Sequence, residues 1–185
     1  MRKIVAYEMV TLDGFIGDEH DGVSWFIQDP QVMKYAQDGH NGRAGTYLFG
    51  RISFDVLAAV WSTPEGMKMN KFYAESLTNT PKVVVSKTLK APEWKNTTVA
   101  TTLDQQLVDK IRQGDGDIVM IFGSGTVVSQ LLEMDEIDEY QLLINPIVLG
   151  KGKKLFSNVA NMKKLKLDST KAFPSGIVLM KYVKA

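Results

Sequence analysis

The sequence predicts an α/β fold on a mostly parallel sheet with an antiparallel end. Three observations predict it. Short β-rich apolar runs alternate with segments whose apolar residues recur at helical spacing. Two of these runs end in a glycine directly before a helical pattern, at Gly50 and at Gly123. The last two β-rich runs, 163–168 and 177–183, have no helix between them and read as an antiparallel hairpin or edge.

The elements follow in order. Residues 3–10 form a strand that stops at the turn signal Thr11-Leu12-Asp13-Gly14 and resumes at 15–17. Residues 18–24 are a polar loop. Pro30 opens a helix over 30–36, closed by Asn41-Gly42. A strand at 46–49 precedes a helix at 52–60. Residues 63–70 read as a loop and 71–77 as a short helix. Strands follow at 83–86 and 97–101. Leu103, Leu107, Val108 and Ile111 mark a helix that Gly114 ends. Residues 118–122 are a buried strand and 125–133 a helix. Residues 140–148 form a strand broken by Pro146, and 149–154 a Gly/Lys turn. The acidic run 135–139 reads as a short solvated connection. No repeat, linker or low-complexity segment divides the chain, so residues 1–185 make one domain.

Composition narrows the function. Hydrophobic residues are 44% and charged residues 23%, as in an ordinary globular protein. A net charge of +1 gives no electrostatic case for nucleic acid or an anionic membrane. With no cysteine, disulfides, thiolate catalysis and cysteine–zinc sites are excluded. No apolar run has membrane-spanning length, and the apolar run after Met1-Arg2-Lys3 meets the charge of Glu8 too early for a signal peptide. A cytoplasmic protein is expected.

Ligands of open α/β sheets bind beyond the carboxyl ends of the strands. Three such ends carry suitable groups. Gly123-Ser124-Gly125-Thr126 lets helix-start amides approach an anion, where the helix dipole favours negative charge. The turn lacks the third glycine of a dinucleotide fingerprint, because residue 128 is valine. Gly50-Arg51-Ile52-Ser53 sets a glycine, a guanidinium and a hydroxyl at a second helix start. Ser86-Lys87 adds a hydroxyl and an ammonium at a third strand end. The alternatives are a glycine-requiring turn, a helix cap at Ser53 and surface charges at Arg51 and Lys87.

Catalytic candidates are fewer. His20 and His40 both fall in loop sequence, which disfavours metal clusters and a Ser-His-Asp arrangement. Asp29, near Trp25 at a helix start, is the candidate proton donor, with a plain N-cap as the alternative. Asp13 is expected to lock the first turn by accepting backbone N–H bonds.

With these residues in place, the chain resembles the dihydrofolate reductase-like superfamily. Within it, it resembles stand-alone relatives of the RibD C-terminal reductase domain of riboflavin biosynthesis. The resemblance rests on Thr11-Leu12-Asp13-Gly14-Phe15-Ile16-Gly17, residues 47–55, residues 82–86, Phe122-Gly123-Ser124-Gly125 and residues 138–152. It implies a three-layer α/β/α sandwich that binds NADPH rather than NADH. By that likeness Gly50, Arg51, Ile52 and Ser53 hold the pyrophosphate, together with Phe122 and the turn Gly123, Ser124, Gly125, Thr126 and Val127. Ser86 and Lys87 hold the adenosine 2′-phosphate. Met9, Val10, Ile16 and Gly17 line the nicotinamide pocket. A homodimer joined near the C-terminal strands is also implied. The riboflavin-pathway enzymes carry a different pattern after the glycine where this chain has Arg51-Ile52-Ser53-Phe54, the cluster that would grip a ribosyl phosphate is not recognisable here, and the helix carboxylate of dihydrofolate reductases has only Asp29, out of register, as counterpart. The expected activity is an NADPH-dependent reduction of a small heterocycle, similar to 5-amino-6-(5-phosphoribosylamino)uracil reductase. The alternatives are a dihydrofolate or pteridine reductase and a non-catalytic NADPH-binding protein.

Overall fold

The computed structural model describes residues 1–41, 43–157 and 159–185. Its frame is an eight-stranded sheet in the order β5-β4-β3-β6-β1-β7-β10-β9. The strands are β1 (Lys3–Thr11), β3 (Ala44–Gly50), β4 (Lys82–Val85), β5 (Thr97–Ala100), β6 (Ile118–Phe122), β7 (Glu139–Asn145), β9 (Leu165–Ala172) and β10 (Val178–Lys184). β5 through β7 run parallel, and β10 and β9 are antiparallel to their neighbours. A two-stranded ribbon pairs β2 (Phe15–Gly17) with β8 (Lys153–Lys154).

Alternation along the strands sorts two cores. Ile4, Ala6 and Val10 of β1 and Val119 and Ile121 of β6 face α5 (Gln105–Arg112) and α6 (Gly125–Glu133), packing on Val108, Ile111, Val128 and Leu131. Val5, Tyr7 and Met120 face the other way, onto Val32 of α1 (Pro30–Ala36), Phe54 of α2 (Arg51–Trp61) and Leu77 of α4 (Lys71–Asn79). Side chains fully buried in such a layer each contribute about 1.5–3 kcal/mol. Helices therefore cover both faces, as the three-layer expectation required.

Most element positions match the pattern reading. The loop expected at 63–70 is instead α3 (Pro64–Met69), capped by the Thr63 hydroxyl on the Gly66 amide at 3.2 Å with proline in the first turn. Short length and a glycine hid it. The helix at 30–36 runs on into a π turn over Gln37–Asn41, and the stop expected at Gly42 lies outside the described residues. The acidic run is not merely solvated. Arg112 binds Glu136 at 2.8 Å and Asp138 at 2.7 Å, and the Asp138 carboxylate also accepts the Ile4 amide.

The topology makes one crevice. β3 and β6 are neighbours, yet the helix after β3 lies on one face of the sheet and the helix after β6 lies on the other. Such a switch point is where open α/β sheets bind ligands.

Candidate functional site

The two glycine turns meet at that crevice. The Ser124 hydroxyl accepts the Gly50 amide at 3.0 Å. A Cβ at Gly50 would stand 2.6 Å from that same oxygen, so glycine is required there by close approach. Gly123 adopts φ +66, a backbone conformation that other residues rarely take. Its carbonyl accepts the Ser53 hydroxyl at 2.5 Å. Ser53 is thus not a helix cap but a strut between the two turns.

The helix starts themselves are left open. α1, α3, α4 and α5 are each capped by a side chain: Asp29, Thr63, Asn70 and Asp104. α2 begins at Gly50 and α6 at Ser124 with no side-chain cap at all. Their first-turn amides are the donors that a helix leaves unsatisfied, and the dipole makes the place favourable to an anion. The two open starts follow adjacent strands. Val127 is 2% exposed and packs in the core, so it has only its amide to offer. Thr126 is exposed at the mouth. The half-exposed Arg51 pairs with Asp55 at 2.6 Å beside it.

β4 lies next to β3, so Ser86 and Lys87 fall at the third adjacent strand end. Ser86 is buried, and its hydroxyl oxygen accepts the amides of Thr88 at 3.2 Å and Leu89 at 3.0 Å. It shapes its own turn and presents Lys87, which is exposed and makes no ion pair among the described residues. At the far side Ile16 floors the α6 turn: a Cβ on Gly125 would meet its Cδ1 at 2.9 Å. Met9 and Val10 end β1 on opposite faces. Gly17 sits where a Cβ on Gly152 would strike its carbonyl at 2.2 Å, holding the β2–β8 ribbon close. Phe122 stacks on Tyr7 with centroids 5.7 Å apart, so its ring belongs to the opposite core.

Asp13 does lock a turn, and across a long distance in sequence. It accepts the Leu149 amide at 3.1 Å, the Gly150 amide at 2.7 Å and the Thr11 hydroxyl at 2.6 Å. The Thr11 bond first, then these amides, bring its carboxyl down to about 2.

Asp29 takes the alternative role. Its side chain accepts from Gln31 at 2.7 Å and Val32 at 3.4 Å as the α1 cap. A bond from Ser175 and then these amides hold it below the usual carboxylate range. It is ionised at neutral pH, the opposite of what a proton donor needs.

Two polar residues of this region were not singled out in the sequence. Asn145 is fully buried at the end of β7. It accepts the Ile27 amide at 3.3 Å and donates to the Leu143 carbonyl at 3.1 Å, tying the 18–29 segment to the sheet. Glu8 of β1 is fully buried beneath the α6 turn. Among the described residues no group of three His, Asp or Glu side chains is placed to hold a metal. No described helix is long and apolar enough to cross a membrane.

The chain is similar to known proteins in sequence and in fold. Protein YyaP of Bacillus subtilis (strain 168), itself uncharacterized, is 29% identical over 181 residues, 98% of this chain and 94% of its own. In structure the chain resembles the diaminohydroxyphosphoribosylaminopyrimidine deaminase/5-amino-6-(5-phosphoribosylamino)uracil reductase of Thermotoga maritima. The TM-score is 0.68 at 17% identity, over 100% of this chain and 57% of that one. It also resembles Enterococcus faecalis dihydrofolate reductase complexed with NADP(H), with a TM-score of 0.64 at 15% identity, over 98% and 95%. Residues 2–179 match the RibD C-terminal domain, and the chain belongs to that family.

Proposed function

We propose that the protein is an NADPH-dependent reductase of a small heterocycle, of the pyrimidine or pteridine kind. One observation carries this reading: of the helices that follow or flank the sheet, the two uncapped ones start side by side across the switch-point crevice. The residues fit the cofactor's anionic parts. The amides at the starts of α2 and α6 would hold the diphosphate, with Gly50 and Gly123 allowing close approach. Lys87 would meet the 2′-phosphate from its exposed position, while Ser86 sets the turn that carries it. Met9, Val10, Ile16 and Gly17 would border the nicotinamide, which supplies a hydride when bound. The chain's own contribution is to orient that ring and to keep water from it. Membership of the RibD family and the structural likeness to a uracil reductase support the substrate class. A homodimer and a cytoplasmic location belong to the same proposal.

The test is titration of NADPH and NADH by ligand fluorescence, with Lys87→Glu as the variant. NADPH affinity should fall about tenfold in the variant, a change of about 1.4 kcal/mol, while NADH binding holds steady. Equal loss for both ligands would remove the 2′-phosphate assignment. A second reading, an NADPH-binding protein without turnover, is favoured by one observation, the commitment of Asp29 to its cap. Oxidation of NADPH by any member of an aminouracil and pterin panel would eliminate it.

A further inference from the structure

Glu8 is an unusual residue for the place it occupies. It is the only charged residue of 4–11, on the central strand, and its exposure is 0%. One carboxyl oxygen accepts the Ser124 amide at 3.4 Å, and the Gly123 backbone contributes a second bond. The other oxygen, Oε2, has no hydrogen-bond partner among the described residues. The carboxyl therefore touches the inner side of the very turn whose outer side opens on the crevice.

Among the described residues no charge balances it. Residues 118–132, which supply β6 and the first two turns of α6, contain no Asp, Glu, Lys, Arg or His. Opposite Glu8 in the β7 register stands Leu142. β2 is Phe-Ile-Gly. The cations of adjoining elements, Lys153 and Lys154 of β8, are exposed, and Arg51 of α2 is engaged with Asp55. Tyr7, the neighbouring titratable group on β1, faces the other core. Burial raises the carboxyl to about 8 against the opposing pull of the two amides. A neutral carboxyl leaves one hydrogen bond unmade there; an ionised one leaves a buried charge with an orphaned oxygen, which costs far more.

We propose that Glu8 is a positioning residue of the anion cleft: it sets, through the Gly123–Ser124 turn, how strongly that turn attracts a diphosphate, and it takes up a proton when the diphosphate binds. An ionised Glu8 and a bound diphosphate place like charges on two sides of one turn in a low-dielectric setting, where repulsion is strong. Neutral Glu8 leaves the field of the α6 start to the ligand. The proposal rests on the NADPH reading for the identity of the ligand, but not for its charge.

The experiment measures binding of NADPH, and separately of inorganic pyrophosphate, by the wild type and by Glu8→Gln, at fixed ionic strength from about pH 6.5 to 9. Wild-type affinity should be level up to about pH 8 and then weaken toward tenfold per pH unit. The glutamine variant, which mimics the neutral carboxyl, should stay level. Parallel profiles in the two proteins would overturn the proposal and leave the NADPH reading intact. Failure of NADPH to bind, with pyrophosphate showing the Glu8-dependent profile, would overturn the NADPH reading alone. Failure of both ligands to bind would overturn both. A variant-free measurement stands beside these. Wild-type binding heats near pH 8, taken in two buffers of different ionisation enthalpy, should show proton uptake on binding, and zero uptake would refute the linkage.

Discussion

The two ends of the parallel sheet are built on opposite plans. At the end where the strands begin, cations close the helix C-termini. Lys82, 1% exposed, donates to the carbonyls of Leu77 at 2.7 Å and of Thr78 and Thr80 at 3.0 Å, finishing α4. Arg2 donates to Ile111 and to Gln113 at 2.7 Å, finishing α5. Lys184 donates to the Asp135 carbonyl after α6. A cavity of about 950 Å³ lies at this end, but Arg2 and Arg112 on its wall already hold carbonyls and carboxylates. At the other end α2 and α6 begin without an N-cap side chain on their first-turn amides. Helix termini are expensive to leave open where water is scarce. The end that completes itself is scaffold; the end that does not is the one proposed to hold the anion.

The largest expected effect tests Glu8, fully buried at the open end. A carboxyl near its ordinary 4.5 when unfolded and about 8 when folded binds more protons in the native state between those values. Stability must therefore fall as pH rises through that window and level off above it, by about 4–5 kcal/mol in all. Urea denaturation of the wild type and Glu8→Gln at steps from pH 5 to 9 checks this. The stability difference between the two proteins should move steadily in favour of the variant up to pH 8. A difference independent of pH would mean that native Glu8 is already ionised in that window, as it is in the unfolded chain.

The next effect breaks the closed end. Lys82→Met keeps the buried stem beneath Trp94, whose ring lies 4.9 Å from the ammonium, but removes the donor to three carbonyls. The cost is roughly 3 kcal/mol, since each unpaired acceptor costs about 1 kcal/mol or more. Denaturation midpoints should show it, while NADPH affinity of the folded variant should be unchanged. A variant that keeps its stability but loses affinity would reverse the contrast between the two ends.

What could be read from the sequence follows the same division. The turns at Gly50 and Gly123 were legible because a glycine stands where each apolar run gives way to a helical pattern; at Gly123 the demand for it is local, a φ of +66, while at Gly50 it comes from Ser124 far along the chain. Their adjacency was not local: β6 inserts between β3 and β1 long after both have formed in sequence. The role of Asp13 as a turn lock was visible, but its partners Leu149 and Gly150 were not. Arg112 turned the acidic run from surface to ion-pair network, at a distance of 24 and 26 residues. Glu8 is the strongest case. Within β1 it looks like one polar residue in a strand, and only α6, folded over it from 116 residues away, makes it a buried acid.

The smallest expected change in stability gives the sharpest separation of the two plans. Thr126 is exposed at the second position of α6. Thr126→Asp places a carboxylate where the open amides and the helix dipole favour one. Near a helix start such a charge contributes about 0.3–1 kcal/mol, so the apoprotein should melt slightly higher. The same charge stands at the mouth of the crevice and should weaken NADPH by about tenfold or more through like-charge repulsion. Stability and affinity then move in opposite directions from one substitution. At the capped start of α5, Asp104→Ala should lower stability by about 1 kcal/mol and leave NADPH binding alone. A Thr126→Asp protein that gains stability and binds NADPH as before would show that the open start of α6 is not where the cofactor's charge is held.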